Sequence, residues 1–215
     1  MPASSQQRVT VFFFQELTDS SQLRIFEDFR NAIQKNWGHL FSEDGQWWGR
    51  EVGKHERVWE IVFWKDEHCW DAVLADPSFA EFEKTFFKEV ALPDCTVNNV
   101  PVYSPAKPFP EILGAGVNFA AYCRLEPDQI AEWIDITERL LDQLDYPGWH
   151  GGAYLSPVET GGEALSFGAW DSVMASQQLF ADGRYPELMD ATNEIFDKAT
   201  RTFNSHVKFQ KHVSS

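Results

Sequence analysis

The stretch Phe63–Phe82 reads FWKDEHCWDAVLADPSFAEF, and it returns in altered form at Ala169–Leu188 as AWDSVMASQQLFADGRYPEL. In both stretches a tryptophan closes an apolar run, an aspartate follows shortly after it, and a second aspartate opens a turn with an aromatic residue three positions later. The spacing from the tryptophan to the second aspartate is the same in both. Upstream, Trp47–Gly49 and Trp149–Gly151 form a further matching pair. Self-similarity in register is the signature of an internal repeat, so the sequence predicts a duplication.

The predicted elements around these stretches follow one order twice. The first copy contains a strand, a helix, a hairpin, an interrupted helical region and a last strand: Val9–Gln15, a helix after Ser20–Ser21 that ends at Gly38, Trp47–Val52 with Val58–Trp64, residues 67–88 interrupted at Asp76–Pro77, and Thr96–Tyr103. The second copy repeats them: Val117–Leu125, a helix from Pro127 through Leu144, Trp149–Leu155 with Glu163–Trp170, a helix capped by Asp171 and interrupted at Pro186, and Val207–Lys211. Alternating apolar residues bounded by Gly and Pro favour strands, and apolar residues at helical spacing favour helices.

We therefore predict two βαββαβ repeats, residues 8–103 and 114–212, joined by a proline-rich linker at 104–113. Pro105, Pro108 and Pro110 favour an extended connector over a helix there.

Composition restricts the classes of partner. The formal net charge is −15, and both nucleic acids and anionic membranes reward basic surfaces, so neither is an expected partner. The three cysteines form no CxxC pair, which favours a reduced, intracellular protein. The N-terminus lacks an apolar signal segment, and no apolar run approaches the roughly 20 residues of a membrane helix. We expect a cytoplasmic protein.

The tryptophan-aspartate and Asp-Pro-x-Phe-x-x-Phe motifs resemble those of the dimeric α+β barrel superfamily, especially its antibiotic-biosynthesis-monooxygenase-like branch. The matching residues are Phe63–Asp66 with Asp76–Phe82, repeated more loosely at Ala169–Asp171 and Asp182–Leu188. The resemblance implies an α+β fold in which two tandem ferredoxin-like repeats form one α+β barrel. Each sheet would carry helices on one face and need cover on the other. The chain would then be a monomer with an internal pseudo-dimer, or a homodimer.

The resemblance implies a broad range of activities: cofactor-free oxygenation, polyketide cyclisation, isomerisation, haem-dependent reactions, and roles without a known reaction. Several members carry histidines on the helix after the tryptophan strand. Here those positions hold Ala72, Ser78, Gln178 and Arg184, which disfavours the familiar histidine chemistry and haem or metal binding. No GxGxxG, P-loop or GxSxG motif occurs, and no HxH or HxxxH pair suggests a metal site. No cofactor is expected.

Three residues are predicted to be catalytic. His150 takes the place of Trp48 in the aligned motif, and an imidazole can act as an acid or base near neutral pH. Glu60 sits mid-strand among apolar residues, where burial would raise its pKa; pairing with Arg50 across the hairpin is the structural alternative. Tyr185 takes the place of Phe79, and its hydroxyl could orient a carbonyl or phenol. A half-exposed histidine and a core tyrosine are the simpler interpretations of the other two.

Further residues of the second copy are predicted to bind the substrate: Tyr122, Arg124, Tyr154, Trp149, Trp170 and Trp133. Aromatic side chains at such positions more often fill a core. Because the ionisable and hydroxylated replacements fall in the second copy, we expect the working site there.

The expected ligand is an apolar small molecule. We expect a cofactor-independent enzyme of secondary metabolism that cyclises or isomerises a polyketide- or terpenoid-like intermediate. The alternatives are a cofactor-free monooxygenase acting on a phenol or anthrone, and a binding protein without catalysis.

Overall fold

The computed structural model describes residues 7–14, 20–53, 57–89 and 95–213. The chain divides into two compact units, Met1–Val100 with Gln210–Ser215, and Pro101–Phe209. The strands Cys95–Tyr103 and Arg201–Lys211 each contribute residues to both units. These units are defined by spatial contacts, whereas the predicted repeats were defined by sequence order. The boundaries of the repeats therefore stay predictions.

The elements of the first half alternate as predicted. They are β1 (Arg8–Phe14), α1 (Ser20–Trp37), a 3-10 turn (Gly38–Leu40), β2 (Phe41–Glu51), β3 (Val58–Trp64), α2 (Cys69–Ala75), α3 (Pro77–Glu89) and β4 (Cys95–Tyr103). In the sheet of the first unit β3 lies between β1 and β2, antiparallel to both, with Arg8 opposite Trp64 and Trp48 opposite Glu60. Gln15, predicted to end the first strand, lies outside the described residues.

The second half has the same order after one additional helix. Its elements are α4 (Phe109–Gly114), β5 (Val117–Arg124), α5 (Ile130–Gln143), β6 (Trp149–Leu155), β7 (Glu163–Trp170), α6 (Val173–Asp182), α7 (Pro186–Lys198) and β8 (Arg201–Lys211). In the second unit the neighbouring strands run β8-β5-β7-β6-β4, and each strand is antiparallel to its neighbours. The α+β class is confirmed. No helix among the described residues is long and apolar enough to cross a bilayer.

The structure corrects two predictions about helices. The proline-rich linker contains α4, because Pro108 and Pro110 stand at its start, where a helix tolerates proline, and Phe109, Ile112 and Leu113 are buried. The helix predicted to be capped by Asp171 is capped instead by Ser172, whose hydroxyl accepts a hydrogen bond from Ala175 N.

Two strands are longer than their apolar patterns indicate. β2 begins at Phe41, before the predicted start at Trp47, and its pairing with β3 shifts register between Phe41 and Gln46, where polar residues lie. β8 begins at Arg201, before the predicted start at Val207, and therefore includes His206. In both cases the pairing strand, rather than local hydrophobicity, sets the length.

Aromatic rings fill the helix-facing side of the first sheet. Phe29 and Phe86 have ring centroids 4.3 Å apart, Phe14 and Phe26 4.7 Å, and Trp70 contacts Phe79 at 5.5 Å. Edge-to-face and offset pairs of this kind are favourable and dense. The first unit is therefore solid under α2 and α3.

Candidate functional site

A cavity of about 150 Å³ lies in the second unit, between the helix-facing side of its sheet and helices α5, α6 and α7. Its wall is mainly aromatic and aliphatic, and it includes Trp133, Leu141, Trp149, Trp170, Leu179 and Ile195. A cavity of this size with an apolar wall accommodates a benzene-sized ring. This cavity is the candidate functional site.

Small strand residues create part of this space. Trp64 in β3 and Trp170 in β7 stand opposite the first residues of β1 and β5, which places the two strand pairs in one register. In that register, helix-facing residues that are large in the first unit are matched by small ones in the second: Phe12 by Ala121, Phe14 by Cys123, and Val62 by Gly168. Ala121 and Gly168 line the cavity.

The helices show the same difference. Counted from Trp64 and Trp170, Trp70 of α2 corresponds to Ser176 of α6, and Phe86 of α3 corresponds to Thr192 of α7. Ser176 and Thr192 both line the cavity. Since large rings are replaced by small side chains on facing surfaces, the second unit is hollow where the first is filled.

Two glycines of the sheet allow the Trp149 ring to approach the backbone closely. A Cβ at Gly168 would meet the Trp149 ring at 2.8 Å, and a Cβ at Gly152 would meet it at 2.9 Å. Real Cβ atoms do not approach this closely, so any larger residue would push the indole away. Trp149 also packs against Trp170, with ring centroids 5.0 Å apart. The glycines therefore shape one wall of the cavity.

One polar residue of the cavity lining, Ser176, is paired with His206, which is not itself a lining residue. Ser176 Oγ, fully buried, lies 3.1 Å from Nε2 of His206. His206 stands opposite Phe119, and Asn204 opposite Ala121, so His206 is on the strand face that borders the cavity. Burial lowers the pKa of His206 below its ordinary range. Near neutral pH the imidazole is uncharged and can accept a proton.

Three predicted substrate-binding residues line the cavity: Trp133, Trp149 and Trp170. The other three do not. Tyr122 points to the opposite face of β5, where it stacks on Phe203 at 4.6 Å, and Arg124 is exposed at the end of β5. Tyr154 is buried beside Trp133 and donates a hydrogen bond to Glu138 Oε1 at 2.7 Å. Burial and the Glu138 carboxylate raise the pKa of Tyr154, so its hydroxyl stays protonated.

The structure places His150 and Tyr185 outside the cavity wall. His150 occupies an irregularity of β6 between Trp149 and Gly151, and its Nε2 lies 2.6 Å from Asp171 Oδ1. The Tyr185 hydroxyl donates to the Asp145 carbonyl at 2.8 Å and accepts from the Asp145 amide at 3.2 Å. Tyr185 thus secures the segment after α5, since both hydrogen bonds go to the backbone.

Strand pairing also corrects the alignment behind the His150 hypothesis. Trp48 stands opposite Glu60, and the residue opposite the corresponding Ser166 is Tyr154. The counterpart of Trp48 is therefore Tyr154 and not His150. The motif match failed because β2 has 11 residues and β6 has 7, a difference that short sequence motifs do not reveal.

Glu60, the third predicted catalytic residue, lies in the first unit and is completely buried. Its Oε1 is 2.6 Å from Nη1 of Arg30 in α1, so the partner is a residue of the predicted helix that the sequence pattern did not single out, and not Arg50. Burial raises the pKa of Glu60 to about 8, and the Arg30 charge offsets only part of this increase.

We expect Glu60→Gln to flatten the pH dependence of stability. A carboxyl group with a folded pKa of about 8 stabilises the protein fully below its ordinary value of 4.5 and loses that contribution as pH rises through 8. A difference of one between the folded and unfolded pKa corresponds to about 1.4 kcal/mol, so the wild type should lose stability between about pH 5 and pH 9. Urea unfolding across this range measures the effect.

The matched control is Glu159→Gln, at an exposed position in the turn between β6 and β7. It should leave the pH profile as in the wild type. An identical profile for Glu60→Gln and the wild type would contradict the assignment.

Sequence reasoning missed Ser176, His206 and the small strand residues. A signal existed for some of them: aligning the two halves of the sequence on Trp64 and Trp170 places Trp70 against Ser176 and Phe86 against Thr192. His206 carried no such signal, because its role depends on the pairing of β8 with β5.

No protein-family model matches the sequence, and no curated protein matches it. Several solved structures are similar in fold. An anthrone oxidase-like protein has a TM-score of 0.73 and 12% identity over 97% of this chain and 92% of its own. A candidate monooxygenase from Fusobacterium nucleatum has a TM-score of 0.57 and 8% identity over 98% and 97%. A second candidate monooxygenase, from Lactobacillus acidophilus NCFM, has a TM-score of 0.53 and 10% identity over 98% of this chain and 96% of its own.

At these identities the likeness is one of fold. It extends along nearly the whole chain, and it agrees with the α+β fold that the resemblance in the sequence implies. The reaction has to be argued from the site.

Proposed function

We propose that this chain is a monooxygenase that needs no dissociable cofactor and oxidises a small, electron-rich phenolic compound in the cavity of the second unit. The observation that carries the proposal is the apolar cavity of about 150 Å³, whose lining residue Ser176 is within hydrogen-bond distance of His206. The names of the similar structures support the same reaction class.

The cavity volume limits the substrate. Pockets for drug-sized ligands typically measure about 300–1,000 Å³, so this cavity suits one aromatic ring rather than a long polyketide chain or a haem. Oxygenation of a one-ring phenol is therefore favoured over cyclisation of an extended intermediate, which is the second candidate. The absence of a cofactor stays a prediction.

The residues would act by removing a proton. A phenolic hydroxyl beside Ser176 would donate to Ser176 Oγ, which would pass its own proton to His206 Nε2. The resulting phenolate is electron-rich and can reduce dioxygen. Oxidation of a phenol with one O₂ yields a quinone and one water, so no external reductant is required. The apolar lining of the cavity provides a low dielectric constant, which strengthens the electrostatic contacts of the phenolate.

Oxygen uptake tests the proposal. Purified protein treated with a chelator is mixed with a panel of one-ring phenols in an oxygen electrode, while quinone absorbance is followed. We expect uptake of one O₂ per phenol, with the cavity-filling variant Ala121→Phe serving as the blank for spontaneous oxidation. Substrate rearrangement without oxygen uptake would favour a cyclase or isomerase. Tight binding of the panel without turnover would indicate a binding protein.

We further propose that the chain arose by duplication and that its copies diverged. The first unit then kept a solid aromatic core, and the second exchanged rings for small residues and gained a cavity. The shared element order and the common register of β1-β3 and β5-β7 support this history.

A further inference from the structure

A second cavity, of about 490 Å³, lies in the first unit between α1, the β2–β3 hairpin and the residues that follow β8. Its lining brings together the arginines Arg24, Arg30 and Arg50. Among the described lining residues, Glu27 is the only acid. This concentration of positive charge stands out in a chain whose net charge is −15.

Arg30 forms the floor of this cleft. Its side chain is 6% exposed, its guanidinium lies 4.1 Å from the centre of the Trp48 ring, and Nη1 contacts Glu60. Its Nε is buried without a hydrogen-bond partner, and so is Nε2 of His212. A buried donor without a partner, here Arg30 Nε, costs free energy, which a ligand that supplies acceptor oxygens would recover.

Arginines outnumber acids in the lining of this cleft. Arg24, Arg30 and Arg50 stand against Glu27 among its described residues, and Glu60 contacts Arg30 without itself being a lining residue. A free anion would be repelled by the acidic surface elsewhere and attracted here.

We propose that this cleft binds a small aromatic carboxylate. The carboxylate would accept hydrogen bonds from Arg30 and Arg50, whose planar guanidinium groups match its geometry. The ring would pack against Trp48 and Val58, which supply apolar surface in the same lining. The volume of about 490 Å³ is within the range of pockets that hold organic ligands.

Calorimetric titration with three probes tests this site: benzoate, the neutral benzyl alcohol and inorganic phosphate. We expect benzoate to bind with one-to-one stoichiometry, more weakly at higher salt, and at least about tenfold more tightly than either other probe, since hydrogen bonds to charged groups are strong. The double variant Arg24→Gln with Arg50→Gln should lower the benzoate affinity at least about tenfold. Arg139→Gln, at an exposed arginine of α5, is the matched control and should bind like the wild type.

Other outcomes would overturn the proposal. Equal binding of benzyl alcohol to the Ala121→Phe protein, whose second-unit cavity is filled, would indicate a merely apolar cleft, and equal binding of phosphate an inorganic anion site. Unchanged benzoate binding by the double variant would place the ligand elsewhere. The Ala121→Phe variant, with the second-unit cavity filled, should still bind benzoate, which separates this site from the proposed oxygenase site.

Discussion

Replacing Ala121 with phenylalanine is expected to abolish turnover and ligand binding in the second unit, by at least about a hundredfold. Ala121 lines the cavity and corresponds to Phe12, whose ring fills the equivalent space in the first unit. A cavity of about 150 Å³ holds one benzene-sized ring, so the added phenyl group would take the substrate's place. Steady-state kinetics and equilibrium binding measure the loss.

The same substitution should leave stability unchanged or increased. Filling a void recovers part of the roughly 24 cal/mol per Å³ that an internal cavity costs. The reciprocal variant Phe12→Ala is the control: it should cost about 3–5 kcal/mol in urea unfolding, while the folded protein keeps its turnover. Wild-type binding and turnover by the Ala121→Phe protein would show that the cavity is not the working site.

Replacing His206 with glutamine is expected to lower kcat by about 10²–10⁴-fold with little change in KM, because a positioned base contributes about that much. The glutamine can keep a hydrogen bond to Ser176 but cannot take up a proton. In the wild type the pKa of His206 is lowered by burial, so the neutral base persists as pH falls. Activity should therefore decline only below about pH 6.5, the ordinary value for histidine.

The control for this experiment is His150→Gln. His150 is partly exposed and pairs with Asp171 away from the cavity wall, so its loss should leave both kcat and the pH profile unchanged. If His150→Gln abolished turnover and His206→Gln did not, the base would be the residue that the motif alignment first suggested.

The strands that were predicted most accurately are those whose signal is local. β6 and β7 have the predicted bounds, Trp149–Leu155 and Glu163–Trp170, because apolar and aromatic runs end there at clear turn residues. Trp133, Trp149 and Trp170 were predictable as wall residues because large aromatic side chains on sheet and helix faces are buried together. The position of His150 was not, since it depends on strand lengths.

By itself, the sequence determined the α+β class, the repeated element order and the acidic character that disfavours nucleic acid, because periodicity, turn residues and charge are properties of the chain read locally. Only the tertiary structure decided that the second unit is hollow, that Glu60 pairs with Arg30, and that His206 meets Ser176. These features join residues far apart in the chain through strand register and helix packing. Neither is encoded in any one segment.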